Sequence, residues 1–258
     1  MSEQTKGMCG CGAAVAGVLT AGVGALDAVR LDELAVAFGV LGRLFWEEPE
    51  AGVVDQLADA RELLLAPPFS TAAPGGARAL HDVLAAYAAG EDGSAGATMD
   101  AFRQDRAFLF YQVSVSRTSP YESVYRTEDR TLFGPTTAQV KADYERHGLR
   151  LDTGRNEPCD HFGLECTYLA QVAGAGAEAS DTEAAAGATG ELRRFLGEHL
   201  LVFAPIYLAH VETQARSDLY RAAATLAREV ITWAADLLGA IPAEMLDPAD
   251  FPLKRPAH

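Results

Sequence analysis

LYRAAATLAREVITWAADL, Leu219–Leu237, steps its apolar residues Leu219, Ala223, Leu226, Val230, Trp233 and Leu237 by four, three, four, three and four. That spacing puts all six on one stripe of an α-helix, where a strand would alternate by two. The same period recurs upstream. Leu34, Phe38, Leu41 and Phe45 step by four, three and four before Pro49. Leu80, Val83, Leu84 and Tyr87 share a face within Ala77 to Ala89, with Gly90 just beyond as a C-terminal stop. Phe195, Leu196, His199, Leu200 and Phe203 share another, which Pro205 is expected to break or kink. Further helices are expected over Gly52 to Leu65, over Met99 to Tyr111, from Gly134-Pro135 to about His147, and from Asn156-Glu157-Pro158 onward with Phe162, Cys166 and Leu169 inward. No strand series of comparable length exists, so the expectation is an all-α fold, an irregular bundle of roughly nine helices.

The segments between the helices differ in kind. Gln112 to Arg130 reads as an ordered, tyrosine-rich loop, because Val113 and Val115 alternate with serines and Pro120 forces Ser119 out of the helical region. Val172 to Gly190 is dominated by Ala and Gly, with little apolar area to bury, and reads as a surface linker or loose insertion. The domain expectation is therefore a Gly/Ala-rich N-terminal extension over 1–30, a helical domain over 31–240 with a low-complexity insertion at 173–190, and a C-terminal tail over 241–258. Met8 to Leu26 is uncharged but too rich in Gly and Ala for a spanning helix, and no Arg pair precedes it, so neither export nor anchoring of this chain is expected.

Composition narrows the function classes. The chain has 258 residues, of which 49% are apolar and 22% charged, and its net charge is −15. Nucleic-acid binding is disfavoured, because counterion release needs clustered Lys and Arg, and cationic partners are favoured. Four cysteines, Cys9, Cys11, Cys159 and Cys166, are too few for a disulfide scaffold and fit a reducing compartment, the cytoplasm. Gly10-Cys11-Gly12 and Gly22-Val23-Gly24 do not complete a dinucleotide fingerprint, and the phosphate-loop, H-E-x-x-H and G-x-S-x-G patterns are absent, so neither catalysis nor a cofactor is expected. Cys159, His161 and Cys166 fall within eight residues, but structural zinc sites favour closer cysteine pairs and a fourth ligand, and no metal is expected there. Asp160 and His161, neighbours about 100° apart around a helix, cannot line one narrow catalytic face. They read as exposed at an N-terminal turn, where Asp caps the helix or accepts from a guanidinium and His donates or stacks.

Ser119-Pro120-Tyr121-Glu122-Ser123-Val124-Tyr125, then Leu132-Phe133-Gly134, then Asn156-Glu157-Pro158-Cys159-Asp160-His161-Phe162-Gly163 resemble in order and spacing the TorD/DmsD family of maturation chaperones, nearest its DMSO-reductase branch. The E-P-x-D-H run is the most specific element. Leu41-Gly42-Arg43-Leu44-Phe45 and the closing helices match more loosely, and the resemblance covers about Leu31 to Leu238. It implies an all-helical cytoplasmic chaperone, a monomer or homodimer, that binds the twin-arginine signal peptide of a molybdopterin oxidoreductase precursor and holds it until the cofactor is inserted. By the same resemblance the peptide-binding residues are Glu157, Pro158, Asp160, His161, Tyr121, Ser123, Tyr125 and Phe110: Glu157 and Asp160 facing the arginines, Phe110, Tyr121 and Tyr125 lining the groove, His161 bonding peptide backbone. Tyr121 and Tyr125 stand where relatives often carry tryptophan, which bears on groove shape. Two other readings follow from the residues: a helical metal-binding enzyme using Cys159, His161 and Cys166, and a structural subunit that retains the fold.

Overall fold

The computed structural model describes residues 24–90, 98–111, 118–150 and 157–252. Asp27 starts α1 (Ala28–Trp46) by accepting from the Arg30 N–H, and the stripe Leu34, Phe38, Leu41 and Phe45 is buried along it. The expected helix over Gly52 to Leu65 divides into α2 (Ala51–Asp59) and a 3₁₀ turn, Arg61–Leu65. The tighter turn faces Leu64 to the core and leaves Leu63 outside. After α3 (Phe69–Ala72), α4 (Pro74–Ala89) begins earlier than its apolar face suggested, with Pro74 in its first turn, and ends at Gly90 with φ +64°.

The long helix Leu219–Leu237 is α11 (Asp218–Leu238), started by Ser217 and ended by Gly239. Its Glu229 carboxylate accepts from the Gly75 and Gly76 N–H groups at 3.1 and 3.0 Å, capping α4 from across the bundle. A Cβ on Gly76 would collide with the Leu226 backbone, so the two helices approach as closely as glycine allows.

The correction of most consequence falls on Val172 to Gly190. α8 (Phe162–Ala177) continues to Ala177 and α9 (Thr182–Phe195) begins after Asp181, so most of the supposed insertion is helical, with Val172, Ala173, Gly176 and Thr189 buried. A Cβ on Gly176 would lie 2.6 Å from Ala188 Cβ and 3.2 Å from Leu31, and Gly174 approaches Ala35. The small residues are what lets α1, α8 and α9 lie close together. Asn156-Glu157-Pro158 likewise does not open a helix: Asn156 lies outside the described residues, and α8 starts at Phe162. Pro205 sits inside α10 (Leu201–Gln214), and the irregularity comes one turn earlier, in the π-helical turn Leu196–Leu200.

The remaining helices are α5 (Met99–Arg106), which widens into a π-helical turn over Ala107–Tyr111, the short α6 (Ser123–Arg126) and α7 (Pro135–Arg146). Nine helices of eight residues or more stand among the described residues, with no strand, which bears out the all-α expectation. α1 packs along α8, α8 on α9, and α11 on α4 and α10. Between them Phe45, Phe162, Phe203 and Tyr207 form an aromatic centre, with the Phe45 and Phe162 rings 4.8 Å apart and edge-on. Each such ring, fully buried, contributes on the order of 2 to 3 kcal/mol. The candidate site is built against this centre.

Candidate functional site

Two segments far apart in sequence meet above the aromatic centre. Pro120 keeps the chain before α6 extended, so it pairs with the run leading into α8. Tyr121 and His161 form an antiparallel bridge, Phe162 N–H donates to Pro120 C=O at 2.7 Å, and Glu122 N–H donates to Asp160 C=O at 2.9 Å. This clamp decides where every residue of the E-P-x-D-H run points.

Asp160 points inward. Its Oδ2 accepts from the Ser123 N–H at 2.7 Å and its Oδ1 from the Thr137 hydroxyl at 2.9 Å, so it caps α6 and ties it to α7. It is fully buried, which corrects the expectation of an exposed carboxylate free to meet a guanidinium. Beside it Glu122 accepts from Arg126 at 2.7 Å and contacts His199 Nδ1 at 2.9 Å, and both Glu122 and His199 are buried. Burial, then the charges of Glu122 and Asp160, push the nearby Glu165 carboxyl well above the usual carboxylate range.

His161 is also buried, and it, not Asp160, is the cap of α8: its Nδ1 accepts from the Gly163 N–H at 3.0 Å. The proton then sits on Nε2. The ring stands edge-on to Trp46 and Tyr121, with centroids 5.0 and 5.1 Å away. Burial, with Arg106 adding to it, lowers its pKa to about 3, so the imidazole is neutral at working pH. Below pH 6.5 the unfolded chain protonates this His and the folded chain does not, so stability is lost as pH falls, at about 1.4 kcal/mol per unit. Glu165 acts with the opposite sign above pH 4.5. A comparison of variants isolates the histidine: between pH 7 and pH 5, His161→Gln should gain about 2 kcal/mol relative to wild type in urea denaturation. A pH-independent difference would show that His161 titrates normally.

Above the clamp lie two compartments. The apolar one, about 260 Å³, is lined by Leu109, Phe110, Val124, Tyr125, Leu132 and Phe251 among others. The other, about 500 Å³, presents Glu47, Glu48, Glu50 and Glu157 with Trp46, Tyr111 and His161. Phe110, Pro120 and Tyr121 line both, so one aromatic partition separates an apolar hollow from an acidic one. The π-helical turn Ala107–Tyr111 aims Phe110 at the partition and Tyr111 at the acidic side. Within that side Glu48 accepts from Arg106 at 2.9 Å and from the Tyr111 hydroxyl, while Arg106 also donates to the Phe45 and Trp46 carbonyls that end α1. Arg43 pairs with Glu47 at 3.2 Å. Burial, then the Glu157 charge, raise the Tyr121 hydroxyl to about 12, which keeps it a neutral donor.

The residues that sequence pointed to therefore divide. Phe110, Tyr121 and Tyr125 line the apolar pocket, Tyr125 with its hydroxyl donating to Ser119 C=O at 2.9 Å, and Glu157 and His161 line the acidic cleft. Pro158, Ser123 and Asp160 are buried and line neither compartment. Trp46, Glu48, Glu50, Arg106 and Tyr111 were missed. The run Trp46-Glu47-Glu48-Pro49-Glu50 was visible as acidic, but its sequence distance from the signature hid its part in the cleft.

The metal-binding alternative is not supported. Cys159 Sγ donates to the Thr137 carbonyl at 3.2 Å, Cys166 is buried among apolar side chains of α8, and His161 Nδ1 is engaged by Gly163. Burial, then Asp160, push the Cys159 thiol up to about 12, far from the thiolate a metal needs. Among the described residues no three His, Cys, Asp or Glu side chains gather as a metal site. Cys9 and Cys11 lie outside the described residues.

The family described as nitrate reductase delta subunit matches residues 68–209, a span holding both halves of the clamp. The Tat proofreading chaperone DmsD of Salmonella typhi is 27% identical over 211 residues, 81% of this chain and 93% of that protein. The chaperone protein TorD of Vibrio cholerae is 29% identical over 119 residues, 46% of this chain and 54% of its own. A probable DmsD of Haemophilus influenzae is 28% identical over 131 residues, 50% of this chain and 59% of that protein. The chain belongs to the TorD/DmsD family. Like the TorD and DmsD proteins it is a redox-enzyme maturation chaperone and not an enzyme. No helix among the described residues is long and apolar enough to cross a membrane. Trp46 to Glu50 and Phe251 lie outside residues 68–209, the span on which the family model matches.

Proposed function

We propose that this chaperone binds, in the cytoplasm, the twin-arginine signal peptide of a molybdopterin oxidoreductase precursor and retains it until its cofactor is in place. The observation that carries this is the shared partition: an acidic cleft and an apolar pocket separated only by Phe110, Pro120 and Tyr121. A twin-arginine peptide has the complementary order, two cations and then an apolar run. In this reading the arginines enter beside Glu50 and Glu157, the apolar residues enter against Phe110 and Tyr125, and the His161 Nε2–H donates to a peptide carbonyl. Asp160 has no direct part: it holds the clamp in shape. The helical unit over 31–240 would be the chaperone domain.

Magnitudes assign the roles. Exposed carboxylate–guanidinium pairs contribute about 0 to 1 kcal/mol each and weaken with salt, whereas burying one large apolar side chain contributes about 2 kcal/mol. Affinity then comes mainly from the apolar pocket, and selectivity and approach from the acids. Calorimetry with twin-arginine peptides from the molybdoenzymes of the same organism should show one binding near micromolar, about −8 kcal/mol. Its Lys-Lys version should bind several-fold more weakly. Equal affinity for the Arg-Arg, Lys-Lys and scrambled forms, or no binding of any, would overturn the reading.

A further inference from the structure

We propose that the segment 246–252 of this chain is a built-in occupant of the apolar pocket, seated through Phe251 and displaced when a client peptide enters. The inference rests on the peptide-binding reading and adds a competitor to it. α11 stops at Gly239, whose φ of +61° turns the chain back over the bundle. Ala243 N–H then donates to Gly197 C=O at 2.9 Å, Leu246 packs against the core, and a 3₁₀ turn, Pro248–Asp250, delivers Phe251 to the pocket.

There the Phe251 ring lies 5.3 Å from the Tyr125 ring, and the Arg130 guanidinium stands over it at 4.8 Å. Arg130 also donates to the Asp250 carbonyl. An apolar side chain on an aromatic floor, with the carbonyl of the residue before it bonded at the rim, is the contact an incoming peptide would make in the same place. Among the described residues Phe251 is the one apolar lining side chain that lies far beyond the family match, while the others come from the chain between Leu109 and Leu132. Arg130 itself has φ +51°, a conformation that costs a non-glycine residue energy and persists where its surroundings hold it.

The segment is lightly fastened. Within it Asp247, Pro248, Ala249, Asp250 and Pro252 are exposed, and in the chain leading to it Ile241 and Met245 are 76% and 81% exposed. Elements with so few buried contacts open at low cost, as a displaceable occupant must. A pocket closed most of the time reduces apparent affinity by the fraction of time it is open.

The test uses the full chain, Phe251→Ala, and a chain ended after Asp247, each checked for an unchanged melting profile of the helices. Two probes are applied: the apolar dye anilinonaphthalene sulfonate, read by fluorescence, and the twin-arginine peptide, read by calorimetry. Both variants should bind both probes tighter, by about five- to tenfold. Peptide affinity that falls in Phe251→Ala would make Phe251 a fixed wall and overturn the proposal, and so would unchanged affinity for both probes. Tighter dye binding with no peptide binding by any chain, wild type included, would uphold the occupant and overturn the peptide reading alone.

Discussion

Asp160→Ala is expected to lower the stability of the fold by about 3 kcal/mol while acting on peptide affinity only through the fraction of folded protein. The carboxylate is fully buried and accepts from the Ser123 N–H and the Thr137 hydroxyl. Its removal leaves both donors without an acceptor, and an orphaned buried donor costs about 1 to 3 kcal/mol. Relief of the desolvation of a buried charge offsets part of that. For a chain of this size the melting temperature should fall by about 6 to 12 °C. Thr137→Val, which removes one bond and its donor together, should cost about 1 kcal/mol. Urea denaturation measures both. The opposing result is specific: Asp160→Ala with a wild-type melting curve and a more than tenfold loss of peptide affinity would mean that the carboxylate turns outward to meet the peptide.

That contrast shows what the sequence made legible. Helix positions followed from apolar period because each helix buries one stripe, and the stop at Gly90 followed from a glycine, the residue that takes a positive φ there. The Ala/Gly stretch around Gly176 was misread, because low apolar area reads as looseness unless the partner helix is known to approach within a methyl group's reach. The site was legible as a set of residues and not as a set of directions. Tyr121 and His161 are paired backbone to backbone, so the two buried side chains of Asp160 and His161 leave opposite sides of the chain, Asp160 toward Ser123 and Thr137 and His161 toward the acidic cleft, and only the pairing with Pro120 and Glu122 tells which is which. The acidic wall from Trp46 to Glu50 comes from the end of α1, and its place opposite Glu157 depends on α1 lying along α8. Local sequence has no signal for that.

The largest loss of binding should come from Tyr121→Ala, at about 30-fold, or roughly 2 kcal/mol, the worth of one aromatic ring buried against an apolar ligand. Tyr121 is half-buried, lines both compartments and braces the His161 ring edge-on at 5.1 Å. Without it the partition is breached and the arginine and apolar ends of a peptide lose their separate seats. The ring carries the effect and the hydroxyl does not, so Tyr121→Phe should bind within about twofold of wild type. Because the hydroxyl is raised to about 12, wild-type affinity should also stay flat from pH 7 to pH 9 as far as this residue is concerned. Glu157→Gln supplies the scale from the acidic side: about two- to fourfold weaker at low ionic strength, with the difference gone at about 0.5 M salt, since a rim charge is screened and a buried ring is not. Calorimetry on the three variants against one peptide ranks them directly. A Tyr121→Ala protein that binds as wild type does, or a Glu157→Gln protein that loses more than the tyrosine variant, would place the energy of recognition in the charges and reverse the assignment of roles.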